Sequence, residues 1–135
     1  MIERDVSVLK YMLKYANEII LAKNRFGDDK KSFDDDALYR NSVAMSLLQI
    51  GELTTHLSDE FKTAFSNDID WRGLKSFRNI CAHNYLGIDI DVVWNEVNSF
   101  LPKFIDFCTA QIQTLSEQDY ESDNIENEDE KDWEI

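Results

Sequence analysis

Proline occurs once in 135 residues and glycine four times. Such a chain has few residues suited to the tight turns of a β-rich fold, and few that would interrupt a helix. A compact helical domain is expected. The two cysteines, Cys81 and Cys108, match no metal-ligand spacing and read as small apolar core residues in a reducing compartment. No apolar run approaches the roughly 20 residues that cross a bilayer. The opening, Met1 to Asp5, carries too much charge for a secretory signal, so a cytoplasmic protein without a membrane segment is expected. Positive charge is also scarce: 14 Lys and Arg stand against 27 Asp and Glu, a formal net charge of -13. That composition lacks the broad basic face of a general nucleic-acid binder, and any RNA contact must be local.

What charge there is falls unevenly. From Glu117 onward there are ten acids and one lysine, a net of -9, which leaves -4 for everything before it. The chain therefore divides into a mildly acidic body, residues 1–115, and an acidic tail, 116–135, expected to be disordered. Trp133 and Ile135 are unusual in a tail that serves only solubility, and are candidates for docking on a partner.

Against this acidic background, Trp71 to Gly87 carries Arg72, Lys75 and Arg78 and no acid. His83 and Tyr85 follow in the same segment. Arg78 has the forked donors that suit phosphate or carboxylate. His83 can transfer a proton in either direction near neutral pH. Tyr85 offers a phenol that can donate, accept or be modified. The plain alternative is that Arg78 pairs with an acid, His83 caps a helix end and Tyr85 is packing. On an ideal helix Arg78 and His83 lie about 140° apart, while Arg78 and Tyr85 share a face. Either the helix opens near Ala82 to Asn84 and turns His83 round, or a pocket draws on two chains. Leu86-Gly87 supports a helix stop close by.

Periodicity predicts the remaining elements. Met1 to Phe26 forms a first helix with two apolar stripes, one through Val6, Leu9 and Leu13 and one through Val8, Met12 and Ile19. Two packed neighbours within one bundle explain both stripes slightly better than a partner surface does. Gly27 to Lys31 reads as a polar loop. A second helix is expected from about Asp34 to Leu57, with Gly51 placed for close helix approach and His56 a surface or terminal residue. Ser58 caps a short helix that ends near Phe65. Asn67 to Asp70 turns, and Asp70 caps the helix carrying Arg78, on which Leu74, Phe77 and Cys81 face the core. Asp89 and Asp91 compete to cap the last helix, whose apolar line runs from Val93 to Ile112. Pro102 should kink that helix or divide it. The fold class is all-α: an antiparallel bundle of about four long helices plus one short one.

The segment Arg78-Asn79-Ile80-Cys81-Ala82-His83-Asn84-Tyr85 resembles the Arg-x4-His-x-Tyr motif of HepT-type toxins in the HEPN superfamily. Arg4-Asp5, Ile50-Gly51-Glu52, Ile69-Asp70-Trp71, Ile88-Asp89 and Val93-Trp94 add matching context, so the resemblance spans roughly residues 2 to 112. The acidic tail has no counterpart in it. The resemblance implies a HEPN-like bundle that forms a homodimer, with two motifs across one cleft. It implies a metal-independent endoribonuclease toxin without a cofactor, acting on tRNA or mRNA. Arg78 and His83 would be catalytic, and Asn79, Arg72 and Lys75 would support RNA contact. It further implies a MntA-type nucleotidyltransferase antitoxin that transfers AMP from ATP onto Tyr85.

The chemistry of the residues agrees. Metal-free RNA cleavage needs a base for the ribose 2′-hydroxyl, an acid for the leaving 5′-oxygen and positive charge on the phosphate. One motif holds one His, and two motifs hold two. No cluster of Asp or Glu near the motif argues for a catalytic metal. A non-catalytic helical dimer, serving as adaptor or binding partner of a nucleotidyltransferase, is the alternative.

Overall fold

The structure is a computed structural model that describes residues 2–83 and 89–123, and of residues 2, 79–83 and 118–123 the backbone alone. Among the described residues every regular element is helical.

Helix α1, Ile2–Phe26, follows the sequence reading closely. It ends at Gly27, whose φ of +123° is strained for any residue with a side chain, and whose N–H reaches back to the Lys23 carbonyl at 2.9 Å. The stretch read as a loop then differs. Lys30–Asp35 is a short helix, α2. Asp29 caps it by accepting from Ser32 N at 2.8 Å, and Lys30–Asp34 and Lys31–Asp35 pairs brace its exposed side. The second long helix, α3, spans Ala37–Leu53 and so starts later than Asp34. Its cap is Asp36, which has extended backbone and accepts from Leu38 N at 2.9 Å. The Arg40 guanidinium also donates to the Phe33 and Asp34 carbonyls, satisfying groups that the end of α2 leaves open. Beyond Leu53 the helix tightens into a 3-10 turn, Thr54–His56, with Thr54 Oγ1 donating to the Gly51 carbonyl at 2.7 Å.

Ser58 caps α4, Asp59–Ala64, through Phe61 N, as its sequence position predicts. The capping residue is itself anchored. Asp5, buried in the first turn of α1, accepts from both Ser58 N and Ser58 Oγ at 2.8 Å. Asp70 caps α5, Trp71–His83, by accepting from Gly73 N at 3.0 Å. Asp89, not Asp91, caps α6, taking the Asp91 and Val92 N–H groups at 3.0 and 3.3 Å.

Helix α6 runs unbroken from Ile90 to Asp123, so Pro102 does not divide it. Pro102 is exposed, and the carbonyl one turn back that loses its N–H partner belongs to the exposed Asn98, where water can replace the bond. The helix also passes the point, near Ser116, where the apolar period stops. Glu, Gln and Asp keep a helix polar without ending it, and Glu and Gln are good helix formers. Residues 124–135, which complete the acidic tail, lie outside the described residues.

The helices pack antiparallel. Arg4, at the start of α1, meets His56 just beyond α3, while Phe26 at the end of α1 stacks on Tyr39 at the start of α3. Lys23, near the end of α1, bonds Asn98 near the start of α6 at 2.6 Å. Helix α1 therefore lies between α3 and α6, and both of its apolar stripes are used inside one bundle. Val8, Leu9, Met12, Ala16 and Ile19 are buried completely, and Leu13 and Ile20 pack around them. Helix α6 buries Val93, Val97, Leu101, Phe104 and Cys108, while Ile112 is half-buried. Burial pushes the Cys108 thiol up to about 12, which makes it an inert core group and no nucleophile. Aromatic clusters close two regions of the core, one of Phe26, Phe33, Tyr39 and Trp94, the other of Phe61, Phe65, Trp71 and Phe107.

Candidate functional site

Helix α5 is held to the bundle by Leu74, which is buried, and by Phe77, which is half-buried. Arg72 and Lys75 point out and are exposed. Cys81 falls where the side chain lies outside the described residues. On its α3 side, α5 makes an unusually close approach at Gly51. A Cβ built there would stand 2.6 Å from the Leu74 carbonyl oxygen, 2.9 Å from Arg78 Cβ and 3.0 Å from Arg78 N. No side chain larger than hydrogen fits without parting the helices. A glycine inside a helix costs about 1 kcal/mol relative to alanine, and here that cost admits the α3–α5 contact.

The same contact sets Arg78. Its Nε stands 2.6 Å from Glu52 Oε1, the carboxylate one residue beyond Gly51. Both side chains are partly open to solvent, at 37% for Arg78 and 43% for Glu52. The acid partner considered for Arg78 at the sequence level therefore exists, and the pair stands where solvent and a ligand can reach it. Glu52 was visible in sequence only as context. Its signal was its place beside a mid-helix glycine, which marks where a second helix must come close.

Helix α5 remains regular through His83, its last residue. There is no opening at Ala82 that would swing position 83 round to join Arg78. At the α-helical turn angle the two positions leave the axis about 140° apart. Asn79 follows Arg78 on the same helix, and its side chain, like that of His83, is outside the described residues. Tyr85 lies wholly outside them. Arg72, Lys75 and Arg78 recur every third residue and so spread over an arc of about 120° on α5.

Two other features lie off this site. A cleft of about 280 Å³ between α5 and α6 is lined by Leu74, Phe77, Val92, Phe100 and Phe104, with Asp70 and Lys103 at its edge, and it includes neither Arg72, Lys75 nor Arg78. His56 is occupied by Arg4, which donates from Nε to its carbonyl at 3.1 Å and places Nη2 3.2 Å from its Nδ1. Among the described residues no group of His, Cys, Asp and Glu is clustered to hold a metal ion, and no helix is long and apolar enough to cross a membrane.

Comparison with known proteins supports the family resemblance. A family model described as ribonuclease HepT-like matches residues 12–111. Two Methanocaldococcus jannaschii proteins are similar across most of their length. "Putative RNase MJ1380" is 32% identical, covering 76% of this chain and 93% of its own. "Putative RNase MJ0127" is 27% identical, covering 89% and 98%. "Probable ribonuclease HepT" of Thermococcus cleftensis is 31% identical over 45% of this chain and 54% of its own. No solved structure matches. The match, which runs from α1 into α6 and includes the helix that carries Arg78 and His83, establishes that the chain belongs to the HepT-like ribonuclease family, a class of RNA-cleaving enzymes.

Proposed function

We propose that the chain is a metal-independent endoribonuclease toxin, active as a homodimer and paired with a MntA-type nucleotidyltransferase antitoxin. The observation that carries the reading is the regular course of α5, which holds Arg78 at the α3 contact and carries His83 about 140° away around the same helix. A single chain with that geometry carries positions 78 and 83 on different sides of the helix. A two-fold pair of α5 helices can present Arg78 of one and His83 of the other to a shared cleft, and supplies two of each.

In that cleft one His83 accepts the proton of a ribose 2′-hydroxyl as its oxygen attacks the adjacent phosphorus. The P–O5′ bond breaks, and the second His83, protonated, gives its proton to the departing 5′-oxygen. Arg78 donates to the non-bridging oxygens, where negative charge builds. The products are a 2′,3′-cyclic phosphate and a 5′-hydroxyl. Arg72 and Lys75, exposed on the same helix, contact flanking phosphates, and Asn79 adds a polar group beside Arg78. Transfer of AMP from ATP to the Tyr85 phenol, with release of pyrophosphate, would place a phosphodiester anion beside this cationic helix. That group repels RNA and competes for Arg78.

The test is cleavage of a defined RNA with analysis of both product ends. His83→Ala is expected to abolish cleavage and growth inhibition in a folded dimer. Arg78→Lys also fails, because a point charge replaces a two-pronged donor. Full activity in a folded His83→Ala protein removes His83 from the mechanism. If wild-type protein binds the nucleotidyltransferase but cuts no RNA, the adaptor reading replaces this one.

A further inference from the structure

The contact between Glu52 and Arg78 bears on how the phosphate is met, and its catalytic meaning rests on the RNA-cleavage reading above. We infer that Glu52 is a positioning residue: by holding Arg78 Nε it fixes the plane of the guanidinium and presents the Nη1 and Nη2 edge to the scissile phosphate.

Arginine is a long side chain, and a half-exposed one samples several rotamers unless something holds it. A carboxylate 2.6 Å from Nε removes that freedom. A carboxylate on this side of the group leaves the end-on edge of Nη1 and Nη2, whose two N–H groups run parallel and match a pair of phosphate oxygens. The base of the clamp is rigid. Glu52 follows Gly51, whose backbone is packed directly against Leu74 and Arg78, and the Gly51 carbonyl is tied down by Thr54. The carboxylate and the guanidinium are thus fixed from two helices in van der Waals contact.

A stability role explains the pair poorly. With both partners more than a third exposed, solvent screens the attraction, and pairs of this kind contribute little to folding. Orientation survives that screening. The negative charge beside Arg78 also weakens its pull on RNA from a distance, so Glu52 serves the reacting geometry at some expense of affinity. This predicts a divided kinetic effect. Glu52→Ala should lower kcat by about a hundred-fold, the scale of a misplaced catalytic group, while KM stays level or falls.

The experiment uses the full-length dimer. Steady-state cleavage of a short RNA is measured for wild type, Glu52→Ala, Glu52→Gln, Arg78→Ala and the double variant Glu52→Ala/Arg78→Ala. Nitrogen-15 NMR follows exchange of the Arg78 Nε–H, assigned by its loss in Arg78→Lys. The expected results are a protected Nε–H in wild type and Glu52→Gln, rapid exchange in Glu52→Ala, and recovery of most of the lost kcat in Glu52→Gln, which keeps an acceptor oxygen. The double variant should be no slower than Arg78→Ala alone. Wild-type kcat in Glu52→Ala overturns the inference, as does a faster and tighter-binding Glu52→Ala enzyme, which makes Glu52 a competitor of phosphate. Glu52→Gln as slow as Glu52→Ala, with its Nε–H still protected, also overturns it by making the charge itself the active feature. Wild-type protein that cuts no RNA sinks the cleavage reading alone. Loss of Nε–H protection in Glu52→Ala then still supports the clamp, and retention of protection defeats it.

Discussion

Gly51 of α3 lies so close to Leu74 of α5 that a single added methyl group would come within 2.6 Å of the Leu74 carbonyl oxygen. That oxygen belongs to helical backbone and cannot swing aside. Gly51→Ala gains about 1 kcal/mol of helix propensity but must separate two packed helices, at a typical overpacking cost of about 1–3 kcal/mol. The expected outcome is a net loss of up to about 2 kcal/mol in denaturant unfolding. Activity should fall further than stability, because the same contact sets Arg78 against Glu52. A stable, fully active Gly51→Ala protein would show that α5 can shift without harm to the site.

Gly51 also shows what sequence could reveal. A glycine inside a strong helical period signals close approach without naming the partner helix, and Glu52 gained its meaning only once α5 was in place. Local chemistry was the most legible part: Ser58 and Asp70 cap where their spacing predicts. Asp34, Asp35 and Asp36 were harder, since all three are good caps and only the chain's turn at Asp36, braced by Arg40, selects one. The end of α6 was missed because an apolar period reports burial, and a polar helix beyond the core has none to show. For the site, sequence supplied the residue types and the angle between Arg78 and His83. Whether α5 stayed regular was a matter for the fold.

Asp5 and Ser58 supply a second prediction. The buried carboxylate takes two hydrogen bonds from one residue, far away in sequence, and ties α1 to the cap of α4. Bonds to charged groups contribute about 1.5–3 kcal/mol, and a buried donor left unpaired costs about as much again. Asp5→Ala should therefore destabilise by at least about 2 kcal/mol, with Asp5→Asn intermediate because its amide can replace only one acceptor. Ser58→Ala should cost less, since the Ser58 N–H keeps its bond to Asp5. Chemical denaturation of the three variants checks the order.

Tyr39 predicts a change of the opposite sign. Its ring packs against Phe26, Phe33 and Trp94, yet its hydroxyl is buried with no hydrogen-bond partner among the described residues. Tyr39→Phe removes that unpaired group and should stabilise the fold by about 1 kcal/mol at neutral pH. Burial, with Asp28 and Asp29 nearby, pushes the phenol from its ordinary 10.0 up to about 12. The unfolded chain therefore loses this proton first, so the wild type loses stability as pH rises from 10 towards 12. The advantage of Tyr39→Phe should widen across that window. A constant difference from pH 7 to 11 in denaturant melts would mean that the hydroxyl is hydrated.

Subunit mixing tests the shared cleft directly. Arg78→Ala and His83→Ala homodimers should each be inactive, because each lacks one group in every copy. In a mixed dimer, one chain supplies both intact His83 and damaged Arg78, and the other the reverse. A pocket that pairs Arg78 of one chain with His83 of its partner then has one composite set intact and one doubly damaged. Activity should reappear on mixing, at a low level if both imidazoles are needed for acid and base. A wild-type protein that is monomeric by light scattering and fully active would end the shared-site idea.

The acidic end of the chain sets the last test. Residues 124–135 carry six acids and one lysine, a net of -5. Deletion after Asp123 leaves α6 whole, whereas a cut at Ser116 would remove part of the helix along with the charge. A polyanionic segment covalently joined to a chain whose α5 exposes Arg72 and Lys75 competes with RNA for those cations and repels it at a distance. Truncation should therefore tighten RNA binding at low salt. The gain should shrink as salt rises, because screening shortens the reach of both effects to about 10 Å at 0.1 M. Affinity that is unchanged at low salt would remove the segment from RNA selection. If truncation then weakens binding of the nucleotidyltransferase, Trp133 and Ile135 are the contacts to replace next, since with Ile125 they are the large apolar groups of an otherwise polar run.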